Sequence, residues 1–234
     1  MNSSIESLLS THVADFLGRH HAMELKIAVA LSGGIDSMVL LDILHTLNLS
    51  KAAPSLVFEA IHVNHNISPN AQHWAAFCVA ECEKRSVPIT VESVTVDRNS
   101  GAGLEAAARA ARYAALAKSS ARFVFTAQHQ DDQAETVLHQ MLRGTGLNGL
   151  AGMGESRALS TSQTLLRPLL KITRAQIESY AASRDLQWIE DESNNDTRHT
   201  RNFLRHEVIP IIAARFSHYA DSLARTAQHG RALR

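Results

Sequence analysis

The sequence predicts an α/β fold built on a doubly wound, mainly parallel sheet, with a helical C-terminal extension. Short apolar runs alternate with helical periodicity along the whole chain, three of those runs end in polar residues, and no internal repeat or low-complexity linker interrupts the pattern. Strands are predicted over 26–32, 56–64, 89–96 and 122–128, with a shorter one near 164–169. Helices are predicted over 4–19, 36–47, 70–86, 103–118, 131–142, 173–184 and 202–214. The Gly- and Ser-rich stretch 143–163 reads as an exposed, partly mobile loop, and helical character continues past Pro210.

The first strand carries the most specific signal. Lys26-Ile27-Ala28-Val29-Ala30-Leu31 is a buried-strand run. It turns through Ser32-Gly33-Gly34 into a helix that opens Ile35-Asp36-Ser37. A strand that turns into a helix presents unpaired N–H groups at the positive end of the helix dipole, which is an anion site. The glycines permit positive φ and a close approach of backbone to phosphate. Asp36 adds a carboxylate that either caps the helix or holds Mg²⁺ beside the phosphates. The plain alternative is an ordinary strand–turn–helix. Lacking a Lys after the glycines, the loop is neither GxxxxGK[ST] nor GxGxxG.

The second strand ends at Asn64-His65 and the fourth at His129-Gln130-Asp131-Asp132, so three polar strand ends share one rim, where ligands of open α/β sheets collect. Asp132 and Glu135 stand i, i+3 on one helical face. They suit a shared cation or acceptance of a proton, or simply an acidic first turn complementing the macrodipole.

The third strand leads into Gly103-Leu104-Glu105-Ala106-Ala107-Ala108-Arg109-Ala110-Ala111-Arg112-Tyr113, which places Arg109 and Arg112 on one face. They suit phosphate binding or a solvated basic surface. Arg143 sits at a helix end before Gly144, either as part of a plain cap or as a basic loop touching phosphate. Arg198, Arg201 and Arg205 recur at helical spacing after the polar run 191–197, as an RNA-backbone contact, a reach into the phosphate site, or a charged surface helix. Trp188 reads as core.

The totals fit one folded α/β domain with appendages, or one and a half domains: 234 residues, 45% hydrophobic, 20% charged, 23 basic against 23 acidic residues. Zero net charge means that any nucleic-acid partner must be held by local clusters. With no run of 18 apolar residues, no membrane role is expected. Without a signal-peptide pattern, and with only Cys78 and Cys82, spaced unlike a CxxC pair, a reducing cytoplasm is expected.

The SGGxDS pattern resembles the PP-loop ATP pyrophosphatases. A set of further segments resembles, in order, the tRNA(Ile)-lysidine synthases: LSGGIDS (31–37), His62 to His65 followed by Ser68, GLEAAARAARY (103–113), Ala127 to Thr136, RGTGLNGLAGM (143–153), RPLL (167–170) and WIEDESN…RNFLR (188–205). The resemblance implies a Rossmann-like, adenine nucleotide alpha hydrolase-like catalytic domain over 1–214. Residues 215–234 are then a helical extension toward C-terminal tRNA-binding domains. It implies adenylation of carbon-2 of the wobble cytidine of a CAU-anticodon tRNA(Ile), followed by attack of lysine and release of AMP. ATP with Mg²⁺, L-lysine and tRNA(Ile) are the implied ligands, and a homodimer is compatible with it.

Residue by residue, the resemblance puts Ser32, Gly33, Gly34, Ile35, Ser37, His62, Asn64, Arg109 and Arg112 at ATP, and Asp36 near Mg²⁺. It puts Asp132 and Glu135 at lysine, Arg201 in the completed site, and Arg143, Arg198, Arg201 and Arg205 at tRNA. One departure is Asn66, where the family pattern leads one to expect Gly. Two other readings compete. One is a tRNA cytidine thiolase of the same superfamily, which would need CxxC pairs. The other is a non-catalytic nucleotide-binding module, which would leave Asp132, Glu135 and the 191–205 run without a role.

Overall fold

The computed structural model describes residues 4–50, 56–96 and 103–233. Its centre is a six-stranded sheet ordered β3-β2-β1-β4-β6-β5: β1 (Ile27–Ala30), β2 (Phe58–Asn64), β3 (Ile89–Ser93), β4 (Phe123–Phe125), β5 (Ser156–Ala158) and β6 (Thr164–Leu166). All pairings are parallel except β5 with β6 at the edge. The chain leaves β1 to one side for β2 and β3, then returns to its other side for β4. The topological switch therefore lies between β1 and β4, where such sheets bind ligands.

Period-2 alternation decides what each strand gives to each face. Ile27 and Val29 enter the larger core with α1 (Ile5–Arg19), α2 (Ile35–Leu49), α3 (Ala71–Lys84) and α7 (Arg174–Ser183). Ala28, Ile61 and Val124 meet Leu116 and Tyr113 of α4 (Leu104–Leu116) on the opposite face. In α1, Ser4 Oγ caps the first turn by accepting from the Ser7 N–H, and Leu9, Val13, Phe16 and Leu17 supply the buried stripe. α2 is buried almost all round, including Asp42. Its carboxylate is met by Tyr180 Oη and Arg184 Nε, both at 3.1 Å, and by Arg85 at 3.4 Å. A buried carboxylate needs such partners.

Three regions differ from expectation. The stretch expected as loop over 143–163 holds a one-turn helix, α6 (Leu147–Leu150), and the edge strand β5. Its Gly149 and Gly152 lie in or beside that turn, so glycine content alone is a poor guide there. The helix expected over 202–214 starts at Thr200 and is three pieces: α8 (Thr200–Phe203), a π turn (Leu204–Val208) and α9 (Ile209–Arg215). The widened turn ends two residues before Pro210, whose nitrogen has no hydrogen to donate to the preceding turn.

The helical run past Pro210 breaks at Phe216 and resumes as α10 (Tyr219–Ala232). α10 returns onto α5 (Gln130–Leu142) and α6. Gln130 Nε2 donates to Asp221 at 2.6 Å, Arg231 donates to the carbonyls of Ala151 and Met153, and a Cβ on Gly230 would meet Ala151 N at 3.0 Å. Trp188, expected in the core, is 38% exposed, because it lies on a strap whose residues 187–191 are irregular before a 3₁₀ turn forms at Glu192–Asn195. Among the described residues no helix is long and apolar enough to cross a membrane.

Candidate active site

The β1–α2 turn is built as an uncapped helix start. Gly34 is the N-cap, and no side chain bonds to the first helical N–H groups. Those groups lack carbonyl partners a turn earlier, so they face outward as donors. Ser37 Oγ donates to the Gly34 carbonyl at 2.9 Å and lies 3.1 Å from Ser32 Oγ, which fixes both hydroxyls at the mouth of the turn. Gly33 has φ +88, and a Cβ there would fall 2.6 Å from Ile189 Cδ1 and 3.1 Å from Cys78 Sγ. The Gly33 carbonyl accepts from the Ile189 N–H at 2.9 Å, so the 188–195 strap is pinned to the back of the turn.

A cavity of about 710 Å³ opens over this rim. Its walls include Ser32, Asp36, Ser37, His62, Asn64, Arg112 and Asp132, together with Trp74 and the strap residues Asp191, Glu192 and Ser193. Ile35 is buried behind the turn. His62 Nδ1 lies 2.9 Å from the Leu31 carbonyl, to which it donates in the tautomer that fits. Burial holds its pKa below the ordinary histidine value, so the ring is neutral. Asn64 Oδ1 accepts from the Asn66 N–H at 2.8 Å, and Asn66 has φ +53. Asn tolerates that left-handed conformation better than most residues, which resolves the departure from the expected Gly.

The charged centre joins four segments. His129, the N-cap of α5, is 3% exposed; its Nε2 lies 3.7 Å from Asp36 Oδ1 and 3.5 Å from Asp132 Oδ2. The ring thus stands between the carboxylate of the glycine turn and that of α5. Its Nδ1 is buried without a hydrogen bond, 3.7 Å from Asp131. Burial opposes the charged ring, but Asp131, Asp132 and Asp36 outweigh it and hold the pKa above 6.5. Asp36 also accepts from Arg174 at 2.9 Å; burial, the dominant influence, pushes its pKa up despite His129 and Arg174.

Arg205, on the π turn, donates through Nε to Glu135 Oε1 at 2.5 Å and through a terminal nitrogen to Asp132 Oδ1 at 3.0 Å. Glu135 is buried, and that burial raises its pKa even against the Arg205 guanidinium.

The sequence-selected residues therefore divide by position. Ser32, Asp36 and Ser37, which flank the two glycines, meet His62, Asn64, Arg112 and Asp132 around one cavity, while Gly33, Gly34 and Ile35 are off its wall, and Glu135 is buried one turn beyond Asp132. Arg205, expected at an RNA-facing surface, turns inward onto the carboxylate pair. Arg201 lies 3.5 Å from exposed Glu105. Arg198 is fully engaged with Asp196, through Nε at 2.9 Å and a terminal nitrogen at 2.7 Å, and Arg143 is an exposed helix C-cap. Arg109 sits on α4, one turn before Arg112 and outside the cavity wall.

Sequence reasoning gave no role to His129 or Arg174. His129 had a signal, since it stands at a strand end and opens the acidic turn. Arg174 had none, because its pairing with Asp36 spans 138 residues.

The carboxylate oxygens of Asp36 are hard donors. They fit Mg²⁺ in the usual mode of one or two carboxylates with the remaining positions taken by phosphates and water, provided Arg174 yields. Among the described residues no group of three or more His, Cys, Asp or Glu is arranged to hold a metal, so a protein-only cage is not what this rim provides.

A PP-loop domain model matches residues 3–212. A tRNA(Ile)-lysidine synthase of Actinobacillus pleuropneumoniae serotype 3 (strain JL03) is 45% identical over 203 residues, covering 86% of this chain and 46% of that protein. One of Burkholderia mallei is 47% identical over 211 residues, 88% and 42% respectively; one of Pseudomonas fluorescens is 43% identical over 227 residues, 96% and 49%. The chain spans about half the length of these curated relatives. In fold it is similar to a U34-tRNA thiolase, NcsA, from Methanococcus maripaludis with its [4Fe-4S] cluster. The TM-score is 0.78 at 18% identity, over 96% of this chain and 79% of that one.

Proposed function

The chain belongs to the PP-loop family, and from that premise we propose that it is the catalytic part of a tRNA(Ile)-lysidine synthase. PP-loop membership implies the use of ATP. The observation that carries the finer reading is the placement of the acidic pair. Asp132 lines the same cavity as Ser32, Asp36 and Ser37, and Glu135 is buried one turn further along the same helix.

In this reading the first step joins the O2 oxygen of the wobble cytidine to the α-phosphorus of ATP, and pyrophosphate leaves. Ser32, Ser37 and the free N–H groups at Ile35 and Asp36 bind the phosphates, with Arg112 opposite them. Asp36 would hold Mg²⁺, which when bound would supply charge neutralisation on those phosphates. In the second step the lysine amine attacks carbon-2, AMP departs with the former carbonyl oxygen, and one proton leaves the nitrogen. An unactivated carbonyl oxygen is a poor leaving group and AMP a good one, which is why ATP is consumed.

Lysine is an ammonium near neutral pH. Asp132 and Glu135 give it a doubly acidic seat, and the pKa of Glu135, raised by burial, makes that carboxylate a better proton acceptor than an ordinary glutamate. Arg205 fills this seat with its guanidinium; lysine binding displaces or shifts that cation. The chain's domain limits follow the same proposal, residues 1–214 forming the catalytic domain and 215–234 an extension.

A thiolase reading would call for reactive thiols. Cys78 and Cys82 are buried in the core, with thiols pushed up to about 12 and about 11, mainly by burial. The test is incorporation of radiolabelled lysine into a CAU-anticodon tRNA(Ile) transcript, run beside ATP–pyrophosphate exchange. ATP-dependent label in the RNA is the expected result. Nucleotide binding without turnover overturns the proposal.

A further inference from the structure

Outside the glycine turn the rim carries a second cationic feature. Arg167 follows β6 directly and is 4% exposed, Arg157 lies on β5, and Arg109, Arg112 and Tyr113 lie on α4. Arg157 Cζ stands 4.4 Å from the centroid of the Tyr113 ring and Arg112 Cζ 5.6 Å from it. Arg167 donates to the Gly154 carbonyl at 2.8 Å, but its Nε is sealed from solvent with no partner, and the buried Tyr113 hydroxyl, which Arg109, Arg112 and Arg167 approach, finds no acceptor for its own proton. Among the described residues none of these four arginines pairs with a carboxylate.

Four guanidiniums around one phenol, two buried donors unspent and no counter-charge make a costly arrangement for a bare structural role. The local field runs the same way. Burial and neighbouring cations hold Arg112 and Arg167 below the ordinary guanidinium value, and Arg109, Arg112 and Arg157 hold the Tyr113 phenol below its own despite burial. A bound anion with several oxygens would satisfy both orphan donors and neutralise the cluster.

We propose that Arg109, Tyr113, Arg157 and Arg167, adjoining Arg112 of the nucleotide cavity, form a phosphate-binding subsite at the β4–β6 end of the rim, distinct from the glycine turn. Its occupant is a backbone phosphate of the RNA beside the nucleotide in the cavity. Arg112 lies on the wall of the cavity itself, so the subsite continues from it, and Arg157 opens it to solvent. Planar guanidiniums suit phosphate oxygens, and phosphate contacts of this kind set the register of an RNA without reading its sequence. The choice of RNA as the source rests on the reading of the chain as a tRNA-modifying enzyme. The phosphate chemistry does not.

The experiment measures binding of a labelled CAU anticodon stem-loop RNA and of pyrophosphate to the whole chain, as wild type, Arg157→Ala, Arg167→Gln and Tyr113→Phe, across a range of salt. The expected result is a loss of RNA affinity of about fivefold or more in each arginine variant. The salt slope should be shallower by roughly 0.7 per lost phosphate contact. Tyr113→Phe should lose affinity at an unchanged slope, since it removes a donor and no charge, and pyrophosphate affinity should stay level.

Loss confined to pyrophosphate would keep the phosphate subsite and reject RNA as its source. Unchanged binding of both probes in Arg157→Ala and Tyr113→Phe, neither of which removes a buried charge, would overturn the subsite even if Arg167→Gln fails to fold. A wild-type chain that binds no RNA at any salt would count against the tRNA reading, and the pyrophosphate arm would still decide the subsite.

Discussion

Arg205 and Glu135 are 70 residues apart in sequence and 2.5 Å apart in space, with the second branch of the same guanidinium 3.0 Å from Asp132. One cation thus satisfies both carboxylates that the proposed chemistry assigns to lysine. The seat is preorganised for a positive charge, and its own occupant must give way when substrate arrives.

Replacing Arg205 by Ala leaves Glu135 buried without its partner. Because the Arg205 side chain is 40% exposed, the loss is smaller than for a fully buried pair, about 1–3 kcal/mol. Urea unfolding of the variant checks this. Arg205→Lys should recover part of the stability, since charge returns without the fork.

Glu135→Gln should impair lysine transfer by at least about tenfold while leaving ATP–pyrophosphate exchange nearly intact, as the amide neither attracts an ammonium nor accepts its proton. Equal loss in both assays would put Glu135 in the adenylation step or in the fold, and not at lysine.

Gly33→Ala meets two obstacles, a φ of +88 and Ile189 Cδ1 at 2.6 Å. The expected cost is about 1–3 kcal/mol, with ATP affinity lost alongside. Adding Ile189→Ala removes the collision but not the dihedral strain. The double variant should therefore recover stability only in part, read by thermal unfolding with and without ATP.

His129 gives a pH signature. Its folded pKa lies above 6.5, so the stability it contributes is complete below 6.5 and fades as pH rises through the higher folded value. Unfolding free energies of wild type and His129→Asn should therefore differ most on the acid side of that window and converge above it. A constant difference across the range would show that the ring acts only by packing.

Asp36 and Glu135 predict the acid limb of activity. Burial raises both pKa values, so each takes up a proton at a higher pH than an ordinary carboxylate. The kcat/KM for lysine should fall on acidification before the usual carboxylate range is reached, and a limb confined to that range would exclude them.

Most of this architecture was legible in the chain itself. The run Lys26–Ser37 encodes strand, turn and helix start within a dozen residues, because local patterning and two glycines suffice for it. The same holds for the acidic opening of α5 and for the parallel sheet, which the alternation of apolar runs with helical segments requires. Trp188 and the stretch 143–163 misled because packing along a strap or at a sheet edge has no period to detect.

What only the tertiary structure decided is which charges meet. His129 between Asp36 and Asp132, Arg174 on Asp36, Arg205 on Glu135 and the arginines around Tyr113 are brought together by the sheet order and by a π turn ahead of Pro210. Periodicity reports which face of an element is buried. It does not report the side-chain partner across a hundred residues of intervening chain, because that pairing is set by how whole elements pack.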